Sequence, residues 1–184
     1  MSNYRRARSG STYFFTVVTY KRRPILCHEK SRAVLRAVIN KVRAAMPFNI
    51  EAWVLLPDHI HCIWTLPEGD VDYSKRWGLI KAGFTKMIKD TPLPDGPEKS
   101  VSRTKHREGT VWQRRFWEHC VRDERDFARH CDYIHYNPVK HGLARTPGEW
   151  VYSTFLRYVD KGVYPRNWCG EEDVSGLQDK IGME

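Results

Sequence analysis

The chain has 184 residues, of which 41% are hydrophobic and 29% charged, so it can bury the core of one domain. No apolar run approaches the roughly 18 residues that cross a bilayer, and no apolar segment follows the basic N-terminus; this excludes a helical membrane protein and a secretory signal, and predicts a cytoplasmic protein. The 31 Lys and Arg outnumber the 22 Asp and Glu, and the resulting charge of +9 is typical of proteins that bind polyanions, although a basic soluble protein without such a partner also fits.

The first half of the sequence predicts a strand, a helix and a pair of strands. Aromatic and β-branched residues dominate 12–20 (TYFFTVVTY), as they do in strands. Hydrophobic residues recur at helical spacing through 28–46, which predicts an amphipathic helix. The segments 48–56 and 59–66 predict two further strands, and the Pro-Asp dipeptide between them indicates a turn and hence an antiparallel hairpin.

The second half predicts a helix, a long loop, a strand and a final helix. Helical spacing returns at 71–89, and the segment 90–110 is rich in Pro, Gly, Ser and charge, as functional or disordered loops are. Residues 111–121 predict a strand. Residues 123–137 predict a helix that is capped at its start by an aspartate and ends at Pro138.

The order of these elements, β-α-β-β-α-β, predicts an α+β fold of the ferredoxin-like, split βαβ kind. We expect an antiparallel sheet with helices on one face, followed by an additional C-terminal helix. Residues 1–169 are expected to form a single domain, and 170–184 a poorly ordered acidic tail. The charge is uneven, because residues 1–45 contain eleven Lys and Arg and one acidic residue, whereas the tail contains five acidic residues and one Lys.

Two histidines in one predicted strand are candidates for a metal site. The five cysteines are scattered and form no CxxC pair, so they predict neither a disulfide framework nor a Cys-rich zinc site. In LPDHIHCIW, His59 and His61 are two residues apart, which places both imidazoles on the same face of a strand, about 6–7 Å apart. They could share a metal ion, but a pair of hydrogen-bonded strand histidines is an equally good interpretation.

The segment DYIHYNPVKHG holds a second candidate pair. Tyr133 and Asn137 are four residues apart and therefore share one face of the predicted final helix. A tyrosine hydroxyl beside an amide oxygen could supply a nucleophile and a metal ligand. The alternative is a core tyrosine followed by an Asn-Pro sequence that ends a helix.

Three segments together, LPDHIHCIW, VWQRRFWEH and DYIHYNPVKHG, resemble the REP-associated tyrosine transposases. These are single-tyrosine members of the His-hydrophobic-His (HUH) endonuclease superfamily, related to the transposases of small single-strand insertion sequences. The resemblance runs from about Tyr4 to Trp168. It implies a metal-dependent endonuclease and strand transferase that acts on single-stranded DNA.

The resemblance also implies roles for individual residues. His59, His61 and Asn137 would bind a divalent metal, Mg²⁺ or Mn²⁺, of which Mn²⁺ suits imidazole ligands better. Tyr133 would attack a DNA phosphate, form a covalent bond to the 5′-phosphate and release a 3′-hydroxyl. Tyr136 is an alternative nucleophile, but Asn137 would then be its immediate neighbour and face away, so we favour Tyr133.

The expected substrate is single-stranded DNA that folds into hairpins of repetitive extragenic palindromes, as in this family. We expect the protein to be a monomer with no membrane partner. Arginines can neutralise phosphates and read guanine edges, and the tryptophans near them are expected to belong to the core rather than to stack on bases. The candidate DNA-binding residues are Arg5, Arg6, Arg8, Arg22, Arg23, Arg114 and Arg115.

Other interpretations of the same residues remain. The first is a non-catalytic, ferredoxin-like nucleic-acid-binding protein in which the histidine pair serves packing. The second is a His-ligated oxygenase or hydrolase that acts on small molecules. The proton acceptor for Tyr133 is not evident; His130, three residues earlier on the predicted helix, is either a surface histidine or a group that transfers protons.

Overall fold

The computed structural model describes residues 11–89 and 109–169, which form four strands and four helices. The elements follow one another in the order that the sequence predicts for a split βαβ fold. A short helix after the last predicted element is an addition. The bounds are β1 Thr12–Val18, α1 Glu29–Ala45, β2 Asn49–Leu55, β3 His59–Thr65, α2 Tyr73–Ile88, β4 Trp117–Cys120, α3 Glu124–Lys140 and α4 Phe155–Asp160.

The four strands form one antiparallel sheet in the order β2-β3-β1-β4. Strand β3 therefore lies between β1 and β2, which is the arrangement of the split βαβ unit and confirms the predicted α+β class. The register places Thr16 of β1 opposite His61 of β3, and Val18 opposite His59. The two histidines thus lie on an interior strand at the end where the β2–β3 turn is located.

Helices α1 and α2 cover one face of the sheet. Their apolar residues pack with the odd-numbered side chains of β1 and the even-numbered side chains of β3, because side chains alternate across a strand. Phe15 and Trp64 are fully buried there, and Trp64 stacks on Trp77 of α2 with ring centroids 4.2 Å apart. This face therefore contains the main aromatic core.

Helices α3 and α4 cover the opposite face. Phe14 and Ile63 of the sheet pack with Ile134 of α3 and Phe155 of α4, and all four are buried. The expectation of a C-terminal helix added to the split βαβ unit is confirmed. Since His59 and His61 alternate with Ile60, they point to this second face, toward α3.

The predicted strand at 111–121 is wrong over its first half. The regular ladder with β1 is confined to Trp117–Cys120, and Gln113 N donates one separate hydrogen bond to Val18 O. Before it, Trp112 makes one isolated bridge to Thr19. The carbonyl oxygens of Gln113 and Arg114 instead accept hydrogen bonds from the ammonium group of Lys81 on α2, so the segment bends toward that helix.

The predicted end of the last helix before Pro138 is also wrong, because α3 continues through Pro138 to Lys140. Proline removes one backbone donor and usually kinks or ends a helix. Here it lies in the last turn, where His141 N donates to the carbonyl of Asn137 and Leu143 N to that of Pro138. Few backbone hydrogen bonds are lost, and the helix extends three residues beyond Asn137.

The remaining predictions about the fold concern cysteines and the chain ends. All five cysteines are free thiols, as expected. In the part of the chain that the structure describes, none of the helices has the length and hydropathy needed to cross a bilayer. The loop at 90–110 lies almost entirely outside the described residues, and so does the acidic tail at 170–184.

Candidate active site between the sheet and helix α3

The structure brings the predicted histidine pair and the predicted tyrosine together. His59 and His61 have ring centroids 4.8 Å apart and ring planes inclined by 82°. The ring of Tyr133 lies 5.1 Å from that of His61. All three residues are buried, with at most 1% of the residue surface exposed.

Asn137 lies between Tyr133 and His141 along the helix. Tyr133, Asn137 and His141 are spaced by four residues and therefore follow one face of α3 and its end. Tyr133 contacts His61, while the ring of His141 lies 5.2 Å from that of His59. Asn137 is fully buried, and its Oδ1 atom is enclosed, as is Nε2 of His59.

Each imidazole of the pair is oriented by a hydrogen bond at Nδ1. Nδ1 of His59 donates to the carboxylate of Asp58 at 2.7 Å, and Nδ1 of His61 pairs with the hydroxyl of Thr16 at 2.9 Å. A carboxylate only accepts, so the bond to Asp58 places the proton of a neutral His59 on Nδ1 and leaves the lone pair on Nε2. This is the arrangement by which outer groups orient metal-binding histidines.

Asp58 is itself held by an arginine. Nη1 of Arg22 donates to Oδ2 of Asp58 at 3.0 Å. Burial raises the pKa of Asp58, but the hydrogen bonds and charges of His59 and Arg22 outweigh it, so the pKa lies below its usual value. The carboxylate is therefore ionised at neutral pH and is suited to accept from His59.

The loop that carries Arg22 has an unusual backbone. Lys21 and Arg22 have φ values of 52° and 50°, in the left-handed region that residues with a side chain seldom adopt. Two such residues in succession store strain, which the surrounding contacts must hold. One of those contacts is the Arg22–Asp58 ion pair, so the strained turn is coupled to the orientation of His59.

Tyr133 has an aromatic and a cationic neighbour. Phe14 lies at 6.0 Å from its ring and at 5.7 Å from that of His61, and it fills the space beside both. The ammonium of Lys140, two turns farther along α3, is 5.3 Å from the centroid of the Tyr133 ring. A cation at this distance is attracted by the ring and favours negative charge nearby.

A second group of titratable residues joins β4 to the start of α3. His119 Nε2 donates to Oδ2 of Asp126 at 2.8 Å, and His130 Nδ1 donates to the carbonyl of Asp126 at 2.7 Å. Burial raises the pKa of Asp126, but the bonds from His119 and the Arg122 amide and the charge of His130 lower it to about 2.

These three side chains have ligand atoms within 4.8 Å of one another and could hold a metal ion. Two observations favour a structural role instead. The imidazoles of His119 and His130 stack face to face, 4.7 Å apart and inclined by 18°, and each is engaged by Asp126. The interpretation of His130 as a surface histidine is wrong, since it is 3% exposed, and burial lowers its pKa.

The candidate DNA-binding arginines are only partly described. Arg5, Arg6 and Arg8 lie outside the described residues. Arg22 pairs with Asp58, as above, and Nη1 of Arg23 donates to the carbonyl of Thr110 at 3.4 Å. Exposed side chains are found at two further predicted positions, Arg114 and Arg115.

Sequence reasoning missed three residues of the site: Asp58, Thr16 and His141. Asp58 was interpreted only as part of a turn, and Thr16 could be found only once the register of β1 against β3 was known. His141 could have been found, because it continues the four-residue spacing of Tyr133 and Asn137.

Comparison with known proteins gives a consistent result. The model of the IS200-like transposase family matches residues 7–137. The REP-associated tyrosine transposase of Escherichia coli K12 is 44% identical over 172 residues, which cover 93% of each chain. A relative in Haemophilus influenzae is 40% identical over 182 residues, or 95% of this chain and 97% of that protein.

A solved structure is also similar. It is the structure of a REP-associated tyrosine transposase bound to a REP hairpin, with a TM-score of 0.71 and 44% sequence identity. The match covers 91% of both chains.

Proposed function

The chain belongs to the IS200-like transposase family, and from that membership we propose that it cleaves and rejoins single-stranded DNA through a covalent bond between Tyr133 and a 5′-phosphate. The observation that carries the proposal is the contact of Tyr133 with His61, 5.1 Å between ring centroids, on the face that also holds His59 and Asn137. The similar solved structure holds a REP hairpin. We therefore propose hairpins of this kind as the substrate.

The proposed reaction is a phosphoryl transfer in two steps, cleavage and rejoining. The hydroxyl oxygen of Tyr133 attacks the phosphorus and loses its proton, the bond from phosphorus to the 3′-oxygen breaks, and that oxygen leaves as a hydroxyl by gaining a proton. The strand is then attached to Tyr133 through its 5′-phosphate. Because this phosphodiester keeps the energy of the broken bond, a 3′-hydroxyl can attack it and restore Tyr133.

The donor atoms of the site fit a divalent metal ion, either Mg²⁺ or Mn²⁺. Nε2 of His59, Nε2 of His61 and Oδ1 of Asn137 would hold it, since both Nδ1 atoms are engaged by Asp58 and Thr16. Imidazole nitrogens suit Mn²⁺ better than Mg²⁺. When bound, such an ion would neutralise charge on the scissile phosphate.

Among the described residues, Lys140 is the cation that contacts the ring of the proposed nucleophile. Its ammonium is 5.3 Å from the Tyr133 ring, where it stabilises the negative charge that develops on the phenol oxygen as the proton leaves. Its side chain is exposed, so it can also contact the incoming phosphate. We propose these two effects as its contribution.

A covalent-adduct experiment tests the proposal. The protein is incubated with Mn²⁺ and labelled hairpin oligonucleotides, and the adduct is resolved on a denaturing gel. The wild type should form a labelled protein–DNA adduct, whereas Tyr133→Phe should form none and still bind the hairpin with an affinity within about twofold of the wild type. Tyr136→Phe, on the same helix, is the matched control and should keep the adduct.

Two outcomes would contradict the proposal. An adduct in Tyr133→Phe would show that another residue is the nucleophile. Hairpin binding without an adduct in the wild type, with Mn²⁺ or Mg²⁺ present, would favour the non-catalytic nucleic-acid-binding protein instead.

A further inference from the structure

A basic groove runs along the outer edge of the sheet, away from the candidate active site. It lies beside edge strand β2, between helix α1 and the segment 151–157, and has a volume of about 610 Å³. Its walls include four arginines and two aromatic residues. The residues that carry the inference are Arg32, Arg36, Arg43, Arg157, Trp53 and Tyr152.

The groove concentrates positive charge. Among the described residues that line it there is no aspartate or glutamate. Three of its guanidinium groups are held by backbone carbonyls, which are uncharged: Arg32 donates to Cys27 O, Arg43 to Phe48 O and Arg157 to Glu51 O. Because each guanidinium has five N–H donors, these bonds fix its position and leave donors for an anion.

Aromatic surface lies between these charges. Trp53 projects from β2 toward α1 and is half-buried. The guanidinium of Arg32 lies over the ring of Tyr152, 4.6 Å from its centroid, and so presents a flat cationic surface. Unpaired bases stack on aromatic rings and arginine planes while arginines bind the phosphates. An acidic peptide would use the charges of this groove but not its flat surfaces.

We propose that this groove binds a single-stranded segment of nucleic acid, with phosphates on the arginines and a base on Trp53. The inference rests on the proposed function, which supplies the hairpin that such a segment would flank. Residues 152–154 already pair with β2, through Leu55 N to Tyr152 O and Thr154 N to Trp53 O. The bound strand therefore lies along the groove and does not extend the sheet.

The groove follows one strand over most of its length. It follows β2 from Ile50 to Leu55, a distance of roughly 17 Å at the usual rise of a strand. Leu55 immediately precedes the turn that carries Asp58 and His59. The imidazoles of His59 and His61 face α3 on the other side of the sheet, so the groove is separate from the candidate active site.

Affinity measurements with two probes test the inference. The probes are a labelled DNA hairpin and the same hairpin with a single-stranded extension, titrated by fluorescence anisotropy without divalent metal. Arg36→Glu changes an exposed side chain of α1 in the groove, and Lys41→Glu makes the same charge change on the same helix outside it. Arg36→Glu should weaken binding of the extended hairpin roughly tenfold and leave the plain hairpin within about twofold.

A second variant separates stacking from charge. Trp53→Leu should also weaken binding of the extended probe, by roughly tenfold, because one base loses its platform. Its salt dependence should equal that of the wild type, whereas Arg36→Glu should lower the slope of log affinity against log salt by about 0.7. Equal melting temperatures of the variants exclude unfolding as the cause.

Three results would overturn the inference: unchanged binding of the extended probe by Arg36→Glu, an equal loss in Lys41→Glu, or an equal loss for both probes. The third would place the hairpin stem in the groove. The covalent-adduct test is independent of all three. A wild type that forms no adduct, yet shows the groove effect, would refute the proposed reaction and leave the groove as a binding site.

Discussion

The ring of Tyr133 lies against the ring of His61, with centroids 5.1 Å apart and planes inclined by 74°. One residue belongs to helix α3 and the other to an interior strand, so the contact exists only when α3 is docked on the sheet. Phe14 packs against both rings, and Ile134 is fully buried in the same core as Phe14 and Tyr133. The apolar core on this face thus positions the polar groups of the site.

We expect Asp58→Asn to weaken metal binding about 10- to 100-fold, because the carboxylate orients His59 and makes its ring a stronger ligand. Isothermal titration with Mn²⁺ measures this directly. Asp160→Asn removes the same charge from an exposed position on α4 and should leave the affinity unchanged. An unchanged Mn²⁺ affinity in Asp58→Asn would show that the 2.7 Å hydrogen bond to His59 does not contribute to metal binding.

Lys140→Met should slow adduct formation about tenfold at saturating DNA, since the ammonium no longer stabilises charge on the oxygen of Tyr133. Lys140→Arg should retain most of the rate. Lys161 is a matched control, because its ammonium lies 5.8 Å from the ring of Tyr158, away from the site. An equal effect of Lys161→Met would indicate a general effect of charge on DNA binding.

The sequence predicted the face on which each site residue lies but not its neighbours from other elements. Spacings of two in a strand and four in a helix placed His59 with His61 and Tyr133 with Asn137, and these relations are local. The contact of Tyr133 with His61 depends on how α3 packs on the sheet, and its prediction came from resemblance to a family. Thr16 pairs with His61 only because of the register between β1 and β3.

The two errors in the predicted elements have different causes. A long-range hydrogen-bond donor changes the last strand, whereas local hydrogen bonds of the final turn extend the last helix. Lys81 of α2 occupies the carbonyls of Gln113 and Arg114 and shortens the last strand. The N–H of His141 bonds to the carbonyl of Asn137, so the helix continues past Pro138.

The buried His135 should make the stability of the protein depend on pH. Burial, followed by the charge of Arg157, lowers the pKa of His135 to about 3, against about 6.5 in an unfolded chain. Below pH 6.5 the unfolded state therefore binds a proton that the folded state does not. The contribution of neutral His135 to the free energy of unfolding is complete above about pH 6.5. It is lost as the pH falls toward 3, by up to about 1.4 kcal/mol per pH unit.

Urea unfolding at pH 7, 6 and 5 measures this dependence. His135→Gln can retain hydrogen bonding to Thr154 or Tyr164, which the imidazole contacts at 2.9 and 3.2 Å. In this variant, the free energy of unfolding should fall less between pH 6.5 and 5 than in the wild type. The difference should correspond to the uptake of close to one proton fewer on unfolding. The exposed His28→Gln is the control. An identical pH dependence in His135→Gln and the wild type would contradict the assignment.

The packing of α2 on α1 predicts opposite effects for two glycines of α2. An added Cβ at Gly83 would lie 2.9 Å from Cγ1 of Val38, whereas at Gly78 it would meet no atom within 4 Å. Replacing a helical glycine by alanine gains about 1 kcal/mol of helix propensity. Gly78→Ala should therefore stabilise the protein by about that amount, as measured by urea unfolding.

Gly83→Ala should instead destabilise it by about 1–2 kcal/mol, because overpacking exceeds the gain in propensity. Val38 is buried and β-branched, so its methyl groups cannot rotate away without strain. In a Val38→Ala background the obstructing methyl groups are gone, and Gly83→Ala should become neutral or stabilising. The double-mutant cycle isolates this contact. Destabilisation by Gly83→Ala that persists in the Val38→Ala background would show that the close approach of the two helices has another cause.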